Sequence, residues 1–345
     1  MIELDKKNKK EIENMAGWDL SEGEYLKSNL TDDDLSRIFA SIFSPVSKNT
    51  TSYKFGFIKS LLDNLYNVDS SLTLSFDTIF STFAESYWNL TLKYDLKQQS
   101  GKNAKITTIL KGLYATFGYD EVIPFESLNS EQKLEIIKTV RVECSKYVLG
   151  ALFDDSLQTM YSFSKKAKII QFNPDIYRYM CRNKVMLEKV NYFEWSRFLE
   201  NVNSVEHTQA ISTKLDESTM RSDLSMYRQI LYEEFECHTC FYCGKSLKSK
   251  IHVDHFIPWS FVKEDRLYNF VLACPHCNTQ KNNKLAPKKF IHDIVERNNV
   301  LINESLRIDD MYRIDTNSYT DSTINNLYEY ALVNGFRRWD VSVFI

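Results

Sequence analysis

Glycine and proline are scarce in this sequence, at 9 and 6 of 345 residues, roughly a third of their usual combined share. So few turn formers exclude collagen-like and low-complexity chains and point to long regular elements, chiefly helices. No run approaches the roughly 20 apolar residues that a membrane-crossing helix needs. The opening stretch MIELDKKNKKEIEN is charged from residue 3 onward and lacks the apolar core of a secretion signal. The expectation is a cytoplasmic protein with no membrane partner. No sign of charge dominates: 43 basic residues face 46 acidic ones, a net charge of −3, so total charge selects no polyanionic partner. At about 150 residues per domain the length implies two domains, or three small ones. The hydrophobic share of 43% and charged share of 26% fit a globular chain that buries most of its apolar surface without disulfides.

Upstream of about residue 235 the pattern is helical. Thr50 and Thr51 stand where they can cap a helix carrying Phe55, Ile58, Leu61, Leu62 and Leu65 on one face. Similar periodicity marks 74–94, 104–116 and 130–153, the last with Ser130 as its cap. A short strand is expected within 164–173. Pro174 suits the first turn of a helix through Tyr177 and Met180, and Tyr192 to Val202 reads as another helix. The aromatic residues here (Tyr177, Tyr179, Tyr192, Phe193 and Trp195) fall at helical spacing and read as core. There is no internal repeat, no P-loop and no glycine-rich dinucleotide fingerprint, and nothing in this region names a chemistry.

The unusual residues lie further on. Five of the 7 cysteines fall between Cys237 and Cys277, and five of the 6 histidines between His238 and His292. Cys144 and Cys181 stand alone and read as small buried residues. Cys240-Phe-Tyr-Cys243 and Cys274-Pro-His-Cys277 are two C-x₂-C pairs, a spacing that lets four thiolates close a tetrahedral structural Zn²⁺ site. Gly244 follows the first pair, where a positive φ is wanted. Cys237 could form a competing pair with Cys240, but no glycine follows that pair, and Cys237 is assigned as a bystander. Between Cys240 and Phe290 nine basic residues face three acids, a local charge of +6 that leaves −9 on the rest of the chain. A basic module carried on an acidic body suits contact with a phosphate backbone.

Inside the zinc loop lie Val253-Asp254-His255-Phe256-Ile257-Pro258-Trp259-Ser260-Phe261, then Asn269, then Asn278-Thr279-Gln280-Lys281 directly after Cys277. From Cys240 to about Leu285 the sequence resembles the HNH endonucleases, the ββα-metal nuclease family, in a zinc-stapled form. The resemblance implies strands near 251–256 and 270–273 and a helix beginning near Asn278. It implies His255 as general base, a role imidazole suits near neutral pH. It implies Asp254 and Asn278 as oxygen ligands of a catalytic Mg²⁺ or Mn²⁺ that keeps several waters. Asn269 is similar to the central Asn of the family, and its implied task is to fix the backbone around His255. Asn278 stands where many members place a histidine, making this an H-N-N variant. Lys281 and Lys284, one or two turns into the following helix, are expected to contact DNA phosphates. His276 would replace Asn278 only through a register shift, and His252 has a lesser claim to a direct role.

The fold class expected is α+β and mostly helical: a helical recognition or regulatory domain (1–220), an HNH nuclease domain with a Cys₄ zinc site (221–300) and a C-terminal helical extension (301–345). The function expected is a metal-dependent endonuclease acting on duplex DNA. A weaker resemblance to bacterial restriction and defence HNH proteins adds that setting, and double-strand cleavage by single sites would call for a homodimer. The alternative is a zinc module that binds nucleic acid in a regulatory protein without cutting it. RNA as substrate is a third reading, for which the sequence carries no recognition signature.

Overall fold

A computed structural model of the chain describes residues 19–44, 49–219, 223–234, 236–248, 250–303, 308, 313–314 and 319–340. The charged opening stretch, and parts of the 301–345 extension, lie outside the described residues. The chain is mostly helical with small sheets, and it divides into two compact units, Met1–Met220 and Arg221–Ile345. Among the described residues no helix is long and apolar enough to cross a membrane.

The N-terminal unit is built on α1 (Asp32–Ile42), α2 (Tyr53–Asp63), α3 (Phe76–Trp88), α4 (Lys105–Phe117), α5 (Ser130–Asp155) and α6 (Pro174–Val202). Helix α2 is buried along all 11 of its residues and packs against α3, α5 and α6. Its own Phe57 and the surrounding Phe80, Phe83, Tyr87 and Trp195 are each fully buried, with rings of Phe83 and Tyr87 at 4.5 Å. Gly56 is needed here for space, because a Cβ at that position would collide with the Tyr87 ring. Four short strands, β1 (Glu22–Gly23), β2 (Thr73–Ser75), β3 (Tyr161–Ser164) and β4 (Ile169–Phe172), form one sheet in the order β1-β3-β4-β2. All three pairings are antiparallel.

Helix starts follow local chemistry. Thr31 caps α1 in a reciprocal box with Asp34, and Asn129 does the same for α5 with Gln132, each satisfying otherwise orphaned N–H groups. The cap of α5 is therefore Asn129 and not Ser130. Likewise Ser52, rather than Thr50 or Thr51, precedes α2. The two helices expected around Pro174 and Tyr192 are one 29-residue helix, kinked at Asn183 (φ −119°, ψ 16°), whose side-chain amide bonds the Tyr179 carbonyl at 2.9 Å. The expected strand within 164–173 is the second arm of the β3–β4 hairpin, which turns through Lys168 at φ 58°.

The C-terminal unit opens with a short helix, Ser225–Gln229, running into a π-turn, Ile230–Glu234. Strands β5 (His252–His255) and β6 (Phe270–Ala273) form an antiparallel pair in which Asp254 faces Val271 and His255 faces Phe270. Helices α7 (Pro275–Lys281), α8 (Phe290–Asn303) and α9 (Thr323–Val333) follow. After α9 the chain returns beside Leu285: the Trp339 N–H donates to the Leu285 carbonyl at 2.7 Å, and the Trp339 ring packs edge-on against Tyr242 at 5.4 Å.

Candidate active site and zinc-ligand cluster

The four paired cysteines come together. The Sγ atoms of Cys240, Cys243, Cys274 and Cys277 all lie within 4.8 Å of one another. In a ZnS₄ tetrahedron with Zn–S near 2.3 Å, neighbouring sulfurs stand about 3.8 Å apart, and Cys243 and Cys274 are separated by 3.9 Å. Two local turns bring this about. Gly244, at φ 68°, lets its N–H reach back to the Cys240 carbonyl at 2.8 Å. Cys274 occupies the N-cap of α7 with Pro275 at N1, and its sulfur accepts the Cys277 N–H. Burial pushes the Cys277 thiol up. Burial also raises Cys274, but hydrogen bonds from Cys277 and the other thiols outweigh it and hold Cys274 below the usual thiol range. A thiolate donor set of this geometry could hold zinc. Cys237 stands outside the group, while Cys144 and Cys181 are buried in the other unit. Because Cys274 caps it, α7 begins at Pro275, three positions before the expected start near Asn278.

Strand β5 carries the Asp-His pair against α7. Asp254, 6% exposed, accepts a hydrogen bond from the Tyr242 hydroxyl at 2.5 Å and an ion pair from Lys281 Nζ at 3.0 Å. Burial and the neighbouring Asp254 carboxylate hold the Tyr242 phenol well above its ordinary pKa. Lys281 also donates to the His255 carbonyl at 2.6 Å, and it is fully buried. This corrects the expectation that Lys281 contacts DNA phosphates. Lys281 lies four positions after the zinc-cluster residue Cys277, so both share the helix face turned into the module. Lys284, past the end of α7, is exposed, and its ammonium donates to the Gln280 carbonyl at 3.3 Å.

Asn278 projects from α7 toward β5, where its amide nitrogen donates to His252 Nδ1 at 2.9 Å. Its Oδ1 makes no hydrogen bond among the described residues. Asp254 and Asn278 thus have different partners and are not bonded to each other. A carboxylate and a neutral amide oxygen suit a hard divalent cation, although at present the Lys281 ammonium neutralises Asp254. Asn269 closes a two-way bond with Ile257, accepting its N–H at 2.8 Å and donating to its carbonyl at 2.9 Å. The Asn269 carbonyl also takes the Phe256 N–H at 2.7 Å. These three bonds fix the backbone immediately after His255.

Sequence reasoning missed two contacts and undervalued a third. His255 Nε2 pairs with Asp265 Oδ1 at 2.7 Å, Tyr242 holds Asp254, and His252 orients Asn278. In the structure the three acids that interrupt the basic segment all have partners. Asp254 meets Lys281, Asp265 meets His255, and Glu264 accepts from Arg266 Nε and from the Tyr268 hydroxyl, each at 3.0 Å.

Compared with known protein families, residues 240–284 match the HNH endonuclease family, over the segment where the resemblance was read from the sequence. No curated protein and no solved structure matches the chain. The match indicates nuclease activity in general, and HNH nucleases act on nucleic acids with divalent metals.

Proposed function

We propose that the C-terminal unit is a zinc-braced HNH endonuclease that hydrolyses phosphodiester bonds of duplex DNA. The observation that supports this reading best is the packing of β5 on α7, the helix whose first turn carries two of the four clustered cysteines, which sets Asp254, His255 and Asn278 on adjoining elements. In this reading Cys240, Cys243, Cys274 and Cys277 hold a structural Zn²⁺ that fixes the hairpin to the helix. Asp254 and Asn278 would hold Mg²⁺ or Mn²⁺, and the bound cation would supply Lewis-acid stabilisation of charge on the phosphate and the leaving oxygen. His255 accepts the proton of the attacking water, and Asn269 keeps the His255 backbone still. Lys284 meets the backbone phosphates, contacts that position the duplex without reading its sequence.

A domain that grips only phosphates cuts with little base preference, so the acidic N-terminal unit is assigned the task of aiming or restraining it. Restriction or defence against foreign DNA in the cytoplasm is the setting that fits such an enzyme. Because one site cuts one strand, double-strand breaks would come from a homodimer or from successive visits.

The test is incubation of the zinc-loaded full chain with supercoiled plasmid and Mg²⁺ or Mn²⁺, with EDTA as control. Nicked circles that form only with the divalent ion are expected. Retention of DNA with no cleavage under either metal would return the chain to a non-catalytic binding module. Parallel reactions on modified and unmodified genomic DNA, and on RNA, check the defence role and the substrate class.

A further inference from the structure

We infer that Asp265 is a positioning residue for His255, holding its imidazole in one tautomer and one orientation; this rests on the nuclease reading above. The two side chains are each 9% exposed and meet at 2.7 Å between Nε2 and Oδ1. A carboxylate only accepts, so the proton of a neutral imidazole sits on Nε2 and the lone pair on Nδ1. Nδ1 makes no hydrogen bond among the described residues, which leaves it as the nitrogen able to take a proton.

The loop that returns Asp265 to His255 is tightly held. A short helix, Trp259–Val262, ends on Lys263 at φ 60°, and this left-handed residue reverses the chain. Asn269 pins the far end of the loop to Ile257 through the two bonds described above. The Tyr227 hydroxyl donates to the Asp265 carbonyl at 3.0 Å. The Tyr227 ring lies against Phe270 at 4.5 Å, and Phe270 packs edge-on against the His255 ring at 4.6 Å. Glu264 is engaged by Arg266 and Tyr268. The other charged groups beside His255 are Lys281, bonded to its carbonyl, and Asp254, its chain neighbour.

In the reaction, an O–H bond of the attacking water breaks and its proton passes to Nδ1 of His255. The water oxygen forms a bond to phosphorus, and the bond from phosphorus to the leaving ester oxygen breaks with its electron pair going to that oxygen, which is then protonated by solvent. The Asp265 carboxylate accepts the Nε2–H hydrogen bond throughout and stabilises the imidazolium as it forms, the part a buried aspartate plays behind a general-base histidine.

The experiment compares the zinc-loaded full chain with its Asp265→Asn, Asp265→Glu and His255→Ala variants. The readouts are plasmid nicking rate at varied DNA concentration, zinc content, melting temperature and the ¹⁵N imidazole shifts of His255. Asp265→Asn is expected to lower kcat by a hundredfold or more, on the order of effects seen when the partner of an active-site imidazole is neutralised. The DNA concentration for half-maximal rate, the zinc content and the melting temperature should stay close to wild type. The His255 shifts should move from the Nε2–H tautomer toward a mixture, and Asp265→Glu should recover part of the rate. A wild-type chain that cleaves, alongside Asp265→Asn with unchanged rate and tautomer, overturns the positioning role alone. Loss of rate that tracks loss of zinc or of melting temperature overturns it as well. A wild-type chain that cleaves under neither metal overturns the nuclease reading and this role with it.

Discussion

The two units hold themselves together in opposite ways. The N-terminal unit wraps a fully buried helix in aromatic rings, with Phe57, Phe80, Phe83, Tyr87, Trp88 and Trp195 all excluded from solvent, and its helices run as long as 29 residues. The C-terminal module has strands of four residues and buries the polar side chains of Asp254, His255, Asn269, Lys281 and Asn298. Apolar burial at roughly 25 cal/mol per Å² carries the first. The second gives up part of that driving force to polar groups that need partners, and replaces it with bonds: four cysteines, a buried ion pair and a locked asparagine. Stability by burial is spread over many residues, whereas stability by bonding is concentrated in a few, and those few adjoin the chemistry.

Removing the zinc proposed for the four cysteines should break the comparison most sharply. Zinc binding contributes about 10–16 kcal/mol to the folding of small zinc modules, more than most domains have in total. Chelation, or Cys277→Ala, should therefore unfold the C-terminal module while the helical circular dichroism of the N-terminal unit persists. A single melting transition that is insensitive to chelator would contradict this. Next in size is Lys281→Met. It leaves the Asp254 carboxylate buried without its cation and is expected to cost about 3–5 kcal/mol, read as a lower denaturant midpoint for the C-terminal transition alone.

In the other unit the corresponding injury is steric. Gly56→Ala drives a methyl into Tyr87 and should cost about 1–3 kcal/mol, moving only the N-terminal transition. The smallest effect belongs to the surface. Thr31→Ala removes one cap of α1 and should cost about 1 kcal/mol, with no change in zinc content or cleavage.

How legible each unit was in the sequence follows from the same contrast. Periodic apolar residues announced α3 to α5, because a helix buried on one face must repeat that face; α2 showed apolar spacing as well, although all 11 of its residues are buried. Caps were misplaced by a residue or two where several hydroxyl or amide side chains adjoin, as at Thr51 and Ser52 or Asn129 and Ser130, and only backbone geometry selects among them. The kinked continuity of α6 through Asn183 was invisible because its buried stripe passes through two polar residues, Lys184 and Asn191, which interrupt the apolar pattern.

In the C-terminal unit the cysteine spacing and the run from Val253 to Phe261 located the hairpin and the helix, since metal geometry and register leave little freedom. The fate of Lys281 could have been read from its spacing to Cys277, but its charge suggested solvent instead. Asp265 was illegible in a different way. Its partner lies ten positions away across a loop with no periodicity, and the left-handed turn at Lys263 reverses the chain between the two.

The most direct test of the account places the zinc-loaded wild-type chain and His255→Ala side by side on the same supercoiled DNA with Mg²⁺ or Mn²⁺. The account predicts that nicks accumulate with the wild type and fall by a factor on the order of a hundred to ten thousand in the variant, the usual contribution of a general base, with zinc content equal in both. Equal cleavage by the two proteins would contradict it.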